Sequence, residues 1–65
     1  MLSQQQISIS KSQFQKMMFL YNALEKGWKI QKTENSYIFT KKHEGKKEVF
    51  QADYLDKFIE SNLHL

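Results

Sequence analysis

Residues 28–50, WKIQKTENSYIFTKKHEGKKEVF, constrain this chain more than any other stretch. Three runs mix aromatic, β-branched and polar residues: Trp28-Lys29-Ile30-Gln31-Lys32, then Tyr37 to Lys42, then Lys47-Glu48-Val49-Phe50. Such side chains suit a pleated, half-buried surface. Glu34-Asn35 and Glu44-Gly45 separate the runs, and Asn and Gly tolerate the positive φ of tight hairpin turns. The pattern predicts a three-stranded antiparallel meander.

Its register follows if both loops are two residues long. Thr33 then faces Ser36, Lys32 faces Tyr37 and Ile30 faces Phe39. In the second hairpin His43 faces Lys46, Lys41 faces Glu48, Thr40 faces Val49 and Phe39 faces Phe50. Opposed residues share a face. One face collects Trp28, Ile30, Tyr37, Phe39 and Phe50, with a Lys41–Glu48 pair beside Trp28. The other collects Lys29, Gln31, Ile38, Thr40, Lys42, Lys47 and Val49. A one-residue slip in either hairpin would scatter the aromatic set over both faces.

Helices are predicted on both sides of the meander. Ser12 followed by Gln15 matches a capping box, and Gly27 stands where a helix ends in the left-handed conformation, so the first helix should span about 12–26. Phe14, Met17, Met18, Leu20, Tyr21 and Leu24 form its apolar stripe. Phe19 and Ala23 lie roughly opposite that stripe. A second helix is expected over Ala52–Leu63, with Asp53 in its first turn and Tyr54, Leu55, Phe58, Ile59 and Leu63 at helical spacing. The expected fold is α+β, in the order α-β-β-β-α, with both helices covering the aromatic face. Residues 1–11, rich in Gln and Ser, read as a flexible tail, and 12–63 as a single domain.

With 65 residues the chain makes one domain at most. It has no cysteine, hence no disulfide and no Cys-based zinc site. A core this small rarely supplies more than about 3–5 kcal/mol unaided, which points to self-association as a homodimer. Phe19 and Ala23, left outward by the stripe, are the expected dimer contact. No apolar run reaches the roughly 18 residues needed to cross a bilayer, and no signal peptide is visible. A soluble intracellular protein is expected.

Chemistry-bearing constellations are sparse. His43 falls at a hairpin tip with nothing to orient it, unlike a working general base. The two glycines form no phosphate-binding loop. No enzyme, metal, cofactor or small-molecule substrate is expected. The aromatic set resembles a base-stacking platform less than it resembles a core that two helices must cover. What remains is lysine. All ten basic residues are lysines, and the formal net charge is +3. Lys26, Lys29, Lys32, Lys41, Lys42, Lys46 and Lys47 crowd into one stretch. The register puts Lys29, Lys42 and Lys47 on the sheet face away from the aromatics, with Lys32 and Lys46 nearby. Such a patch attracts polyanions, nucleic acid first among them. With no Arg, contact would be to phosphates rather than to bases. The same lysines also suit a plain solvated sheet that resists edge pairing.

The run Leu24-Glu25-Lys26-Gly27-Trp28, continued by Tyr37-Ile38-Phe39-Thr40-Lys41-Lys42-His43 and Tyr54-Leu55-Asp56-Lys57-Phe58-Ile59, resembles small proteins of large eukaryotic DNA viruses, the marseillevirus type among them. The resemblance covers about residues 20–60 and is one of core and turn residues. It implies a viral gene product of unassigned molecular function, in the infected host cell and carried in the virion, and it transfers no site residues. The sequence thus leads to a small basic homodimeric module that contacts nucleic acid through phosphates. The alternative is a protein-interaction or structural module that binds none.

Overall fold

A computed structural model describes residues 8–65. The expected tail, 1–11, lies mostly outside the described residues. Helix α1 spans Lys11–Glu25, β1 Lys29–Lys32, β2 Ser36–Lys41, β3 Lys46–Gln51 and α2 Ala52–Ser61. The three strands form one antiparallel sheet in the order β1-β2-β3. Both helices pack on its aromatic face, giving the α+β order that the sequence predicts.

The first helix opens at Lys11, one residue before the expected 12, and its cap lies two residues earlier than expected. Ser10, not Ser12, is its cap. The Ser10 hydroxyl accepts from the Gln13 N–H at 3.1 Å, and Gln13 Oε1 accepts from the Ser10 N–H at 3.1 Å. The Ser-x-x-Gln motif occurs twice in a row, and the earlier copy adds two residues of helix, with the Phe14 N–H donating to the Ser10 carbonyl at 2.9 Å. At the other end Gly27 takes φ +95°. Its N–H donates to the Leu24 carbonyl, and the Trp28 N–H to the Ala23 carbonyl, both at 3.0 Å. This double closure is the Schellman arrangement, which brings the residue after the glycine onto the residue three before the cap.

That closure turns α1 the opposite way to the expected stripe. Phe19 and Ala23 are fully buried, whereas Phe14, Met17, Met18, Tyr21 and Leu24 face solvent. Phe19 and Ala23 are therefore core residues, and their assignment to a dimer contact is corrected. The physical reason is non-local. The helix is apolar on two faces, and the face that docks is the one whose small Ala23 admits Trp28. Its Phe19 ring meets the Phe39 and Phe58 rings edge-on at 5.8 and 5.9 Å. Lower on the same face the Lys16 ammonium reaches the Asp56 carboxylate of α2 at 2.9 Å.

The core gathers around Phe39, in the middle strand. Its ring makes edge-on contacts with Phe19, with Trp28 at 6.4 Å and with Phe50 at 5.6 Å. Each such pair contributes about 0.5–1.5 kcal/mol beyond area burial. Leu55 and Ile59 of α2 close the cluster. The second helix ends at Ser61, short of Leu63, which is largely exposed.

The first hairpin has the expected register, with Ile30 opposite Phe39 and Lys32 opposite Tyr37. It turns without positive φ, the Thr33 hydroxyl accepting from the Ser36 N–H at 3.1 Å. The second hairpin is shifted by two residues. Tyr37 faces Phe50, Ile38 faces Val49, Phe39 faces Glu48, Thr40 faces Lys47 and Lys41 faces Lys46. Its loop is a 3-10 turn, Lys42–Glu44, closed by Gly45 at φ +62°. A two-residue turn on Glu44-Gly45 would ask for positive φ at Glu44; the longer turn asks it of glycine alone. Because the shift is two residues and not one, every strand residue keeps its predicted face.

Candidate functional site

The turn geometry of the second hairpin assembles a strongly charged region among the described residues. At this end of the sheet come together the last residues of α1, the start of β1, the end of β2, the 3-10 turn and the start of β3. Six lysines lie here: Lys26, Lys29, Lys41, Lys42, Lys46 and Lys47. The carboxylates are Glu25, Glu44 and Glu48. Across the rest of the chain four lysines meet four carboxylates, so the whole formal charge of +3 resides at this end.

Within it the lysines divide by face. Lys29 and Lys47 flank Thr40 in one row across the three strands. Two strand spacings set their backbones about 10 Å apart. The row lies on the face away from the helices, where both lysines are exposed and no strand carboxylate points. Lys42 was expected beside them. The two-residue shift moves it off the strand onto the exposed 3-10 turn with His43, and a cleft of about 160 Å³ there is lined by Lys26, Lys41, Lys42 and Glu44.

Lys41 and Lys46 face each other on the aromatic side, a like-charge pairing that is unfavourable by itself. Glu44 offsets it. Its carboxylate lies 3.1 Å from Lys46 Nζ and 3.7 Å from Lys41 Nζ. The hydrogen bond from Lys46, then the charge of Lys41, hold the Glu44 carboxyl below the usual glutamate range. Lys41 Nζ also lies 5.0 Å from the Trp28 ring centroid, a cation–π contact. Lys41 is thus beside Trp28 as expected, but its acidic partner is Glu44 and not Glu48.

Lys32 does not join this end. It sits at the first hairpin, where Nζ donates to the Thr33 and Glu34 carbonyls and lies 5.4 Å from the Tyr37 ring centroid. Of the five lysines singled out by sequence, then, Lys29 and Lys47 share the open face, Lys42 adjoins it, Lys46 is tied to Glu44, and Lys32 is remote. Lys26 is the addition the fold makes. The Gly27 turn, visible in the sequence, is what returns it to the β2–β3 turn.

Elsewhere chemistry is thin. Among the described residues no three His, Cys, Asp or Glu side chains converge as metal ligands, and His43 is exposed on its turn. Among the described residues no helix is long and apolar enough to cross a membrane.

No protein-family model, curated protein or solved structure matches this chain. What the basic end can bind follows from its own side chains. Lysine ammoniums on a solvated strand face are point charges that suit phosphate oxygens and read little of a base edge.

Proposed function

We propose that the chain is a small binding module whose basic end contacts nucleic acid through phosphates, without dependence on base sequence. The observation that supports this reading is the segregation of the entire net charge onto one end, with Lys29 and Lys47 exposed on a sheet face that carries no strand carboxylate and Lys42 exposed on the adjoining turn. Scattered lysines serve solubility equally well; a charge gathered at one end raises the local concentration of a polyanion. Binding of this kind weakens with salt, by about 0.9 in log K per phosphate contact and log salt on duplex DNA, and about 0.7 on single strands.

The test is a titration of the full chain with duplex and single-stranded DNA across a salt series. Replacing Lys29, Lys42 and Lys47 together by Gln should lower affinity and flatten the slope. Replacing Lys32 and Lys57, away from this end, should change little. No binding by the parent chain at low salt would overturn the reading. So would a loss from the distant pair as large as that from the triple.

One observation favours a second reading, a protein-interaction module that binds no nucleic acid: α1 presents a second apolar face, outside the core.

A further inference from the structure

Helix α1 shows solvent five large apolar side chains, Phe14, Met17, Met18, Tyr21 and Leu24, each 39–57% exposed. At 100° per residue they fall within about 120° of one another, opposite Phe19 and Ala23. Between Phe14 and Leu24 no charge interrupts them, and Lys11 and Glu25 flank the stripe at its two ends. The one charged residue inside the helix, Lys16, is on the core side and engaged with Asp56. A hollow of about 470 Å³ beside Phe14, Met18, Asn22 and Leu63 extends the patch.

We infer that this face is covered by the same face of a second copy of the chain, with the two α1 helices antiparallel. Three observations select that occupant and that orientation. The patch is self-complementary: Phe14 and Tyr21 stand equally far on either side of Met17–Met18, so a two-fold axis there sets Phe14 of one copy against Tyr21 of the other. The area suffices. A large side chain carries on the order of 150–250 Å², so five of them half exposed leave on the order of 500 Å² per copy, and the pair reaches the roughly 1,000 Å² that a specific interface requires.

The charges at the helix ends give the third. Lys11 is the first residue of α1 and Glu25 the last, both exposed and neither in an ion pair among the described residues. Each has the sign that its own helix dipole disfavours. Lys11 shares a shallow hollow with Glu60 of α2 without pairing to it. The antiparallel arrangement brings each Lys11 to the Glu25 of the other copy. A parallel one would set like charges and like dipole ends together.

Sedimentation equilibrium of the full chain without nucleic acid tests this, with circular dichroism to confirm folding. The parent should sediment at twice its 7.8 kDa at micromolar concentration. Tyr21→Lys, at an exposed position, should raise the dimer dissociation constant at least tenfold with the spectrum unchanged. Lys11→Glu should weaken the dimer several-fold at low salt, and Lys11→Glu with Glu25→Lys should restore it. The chain has no cysteine, so Met18→Cys supplies the sole thiol, and mild oxidation should give a disulfide-linked dimer with high yield. A parent that stays monomeric up to about 1 mM, a contact weaker than about 10⁻³ M, would overturn the inference. So would a dimer indifferent to Tyr21→Lys, or a double charge swap no better than the single one.

Discussion

The backbone N–H of Trp28 donates to the carbonyl of Ala23 at 3.0 Å, and both side chains are buried in one core. This contact couples the end of α1 to the start of the sheet. It fixes which face of the helix docks, and it leaves the opposite, more apolar face to solvent.

Gly27 makes the contact possible, at φ +95°. A Cβ there would meet nothing within 4 Å, so Gly27→Ala costs backbone strain alone. The expected loss is about 1–2 kcal/mol, read from the midpoint of a denaturant melt.

Phe19 is fully buried against Phe39 and Phe58. Phe19→Ala should cost about 3–5 kcal/mol, comparable to all that a core of this size supplies. Near-UV circular dichroism at 25 °C should show the tertiary signal lost. Val49→Thr, on the open sheet face, should stay within about 0.5 kcal/mol of the parent.

The sequence made the meander legible because two turn signals and one aromatic set agreed. Thr33 and Ser36 gave the first register directly. In the second hairpin Glu44-Gly45 suggested a two-residue turn, but only Gly45 can take positive φ without strain, and the loop lengthened to Lys42–Gly45. The faces survived because period two is indifferent to a shift of two. The docking face of α1 was not legible from periodicity, since the larger stripe is the exposed one. A signal was present all the same: with Gly27 ending the helix, the Schellman contact rule pairs Ala23 with Trp28. Of the candidate site, the crowding of lysines was visible. Its division among an open face, a turn and a remote hairpin depends on strand register and could not be read from spacing.

Glu44 stands between Lys46 and Lys41, and its carboxyl is held below the usual range first by the Lys46 hydrogen bond. A carboxyl with a lowered folded-state midpoint contributes stability above its unfolded midpoint and loses it as pH falls through the folded one. Carbon-13 titration of the Glu44 carboxyl should therefore give a midpoint below that of an ordinary glutamate. Lys46→Gln should move it upward. An unshifted midpoint in the parent would mean that the bridge does not persist in solution.

Lys16 is displaced the other way. Its hydrogen bond to Asp56 raises the ammonium above the ordinary lysine value, in spite of some desolvation. The contribution is present at neutral pH and is lost as pH rises through the raised midpoint. Both side chains keep about a third of their surface in water, so a double-mutant cycle with Lys16→Met and Asp56→Asn should give a coupling of at most about 1 kcal/mol. It should shrink further in high salt.

The claim that the basic end is the binding surface is tested most directly by amide chemical-shift mapping. A short single-stranded DNA, then a duplex, is added to the nitrogen-15-labelled chain at low salt. Shifts should concentrate at Lys26, Lys29, Lys42, Lys46 and Lys47 and fade as salt is raised. Shifts confined to the Lys32 hairpin or to the outer face of α1, or none at all, would contradict it.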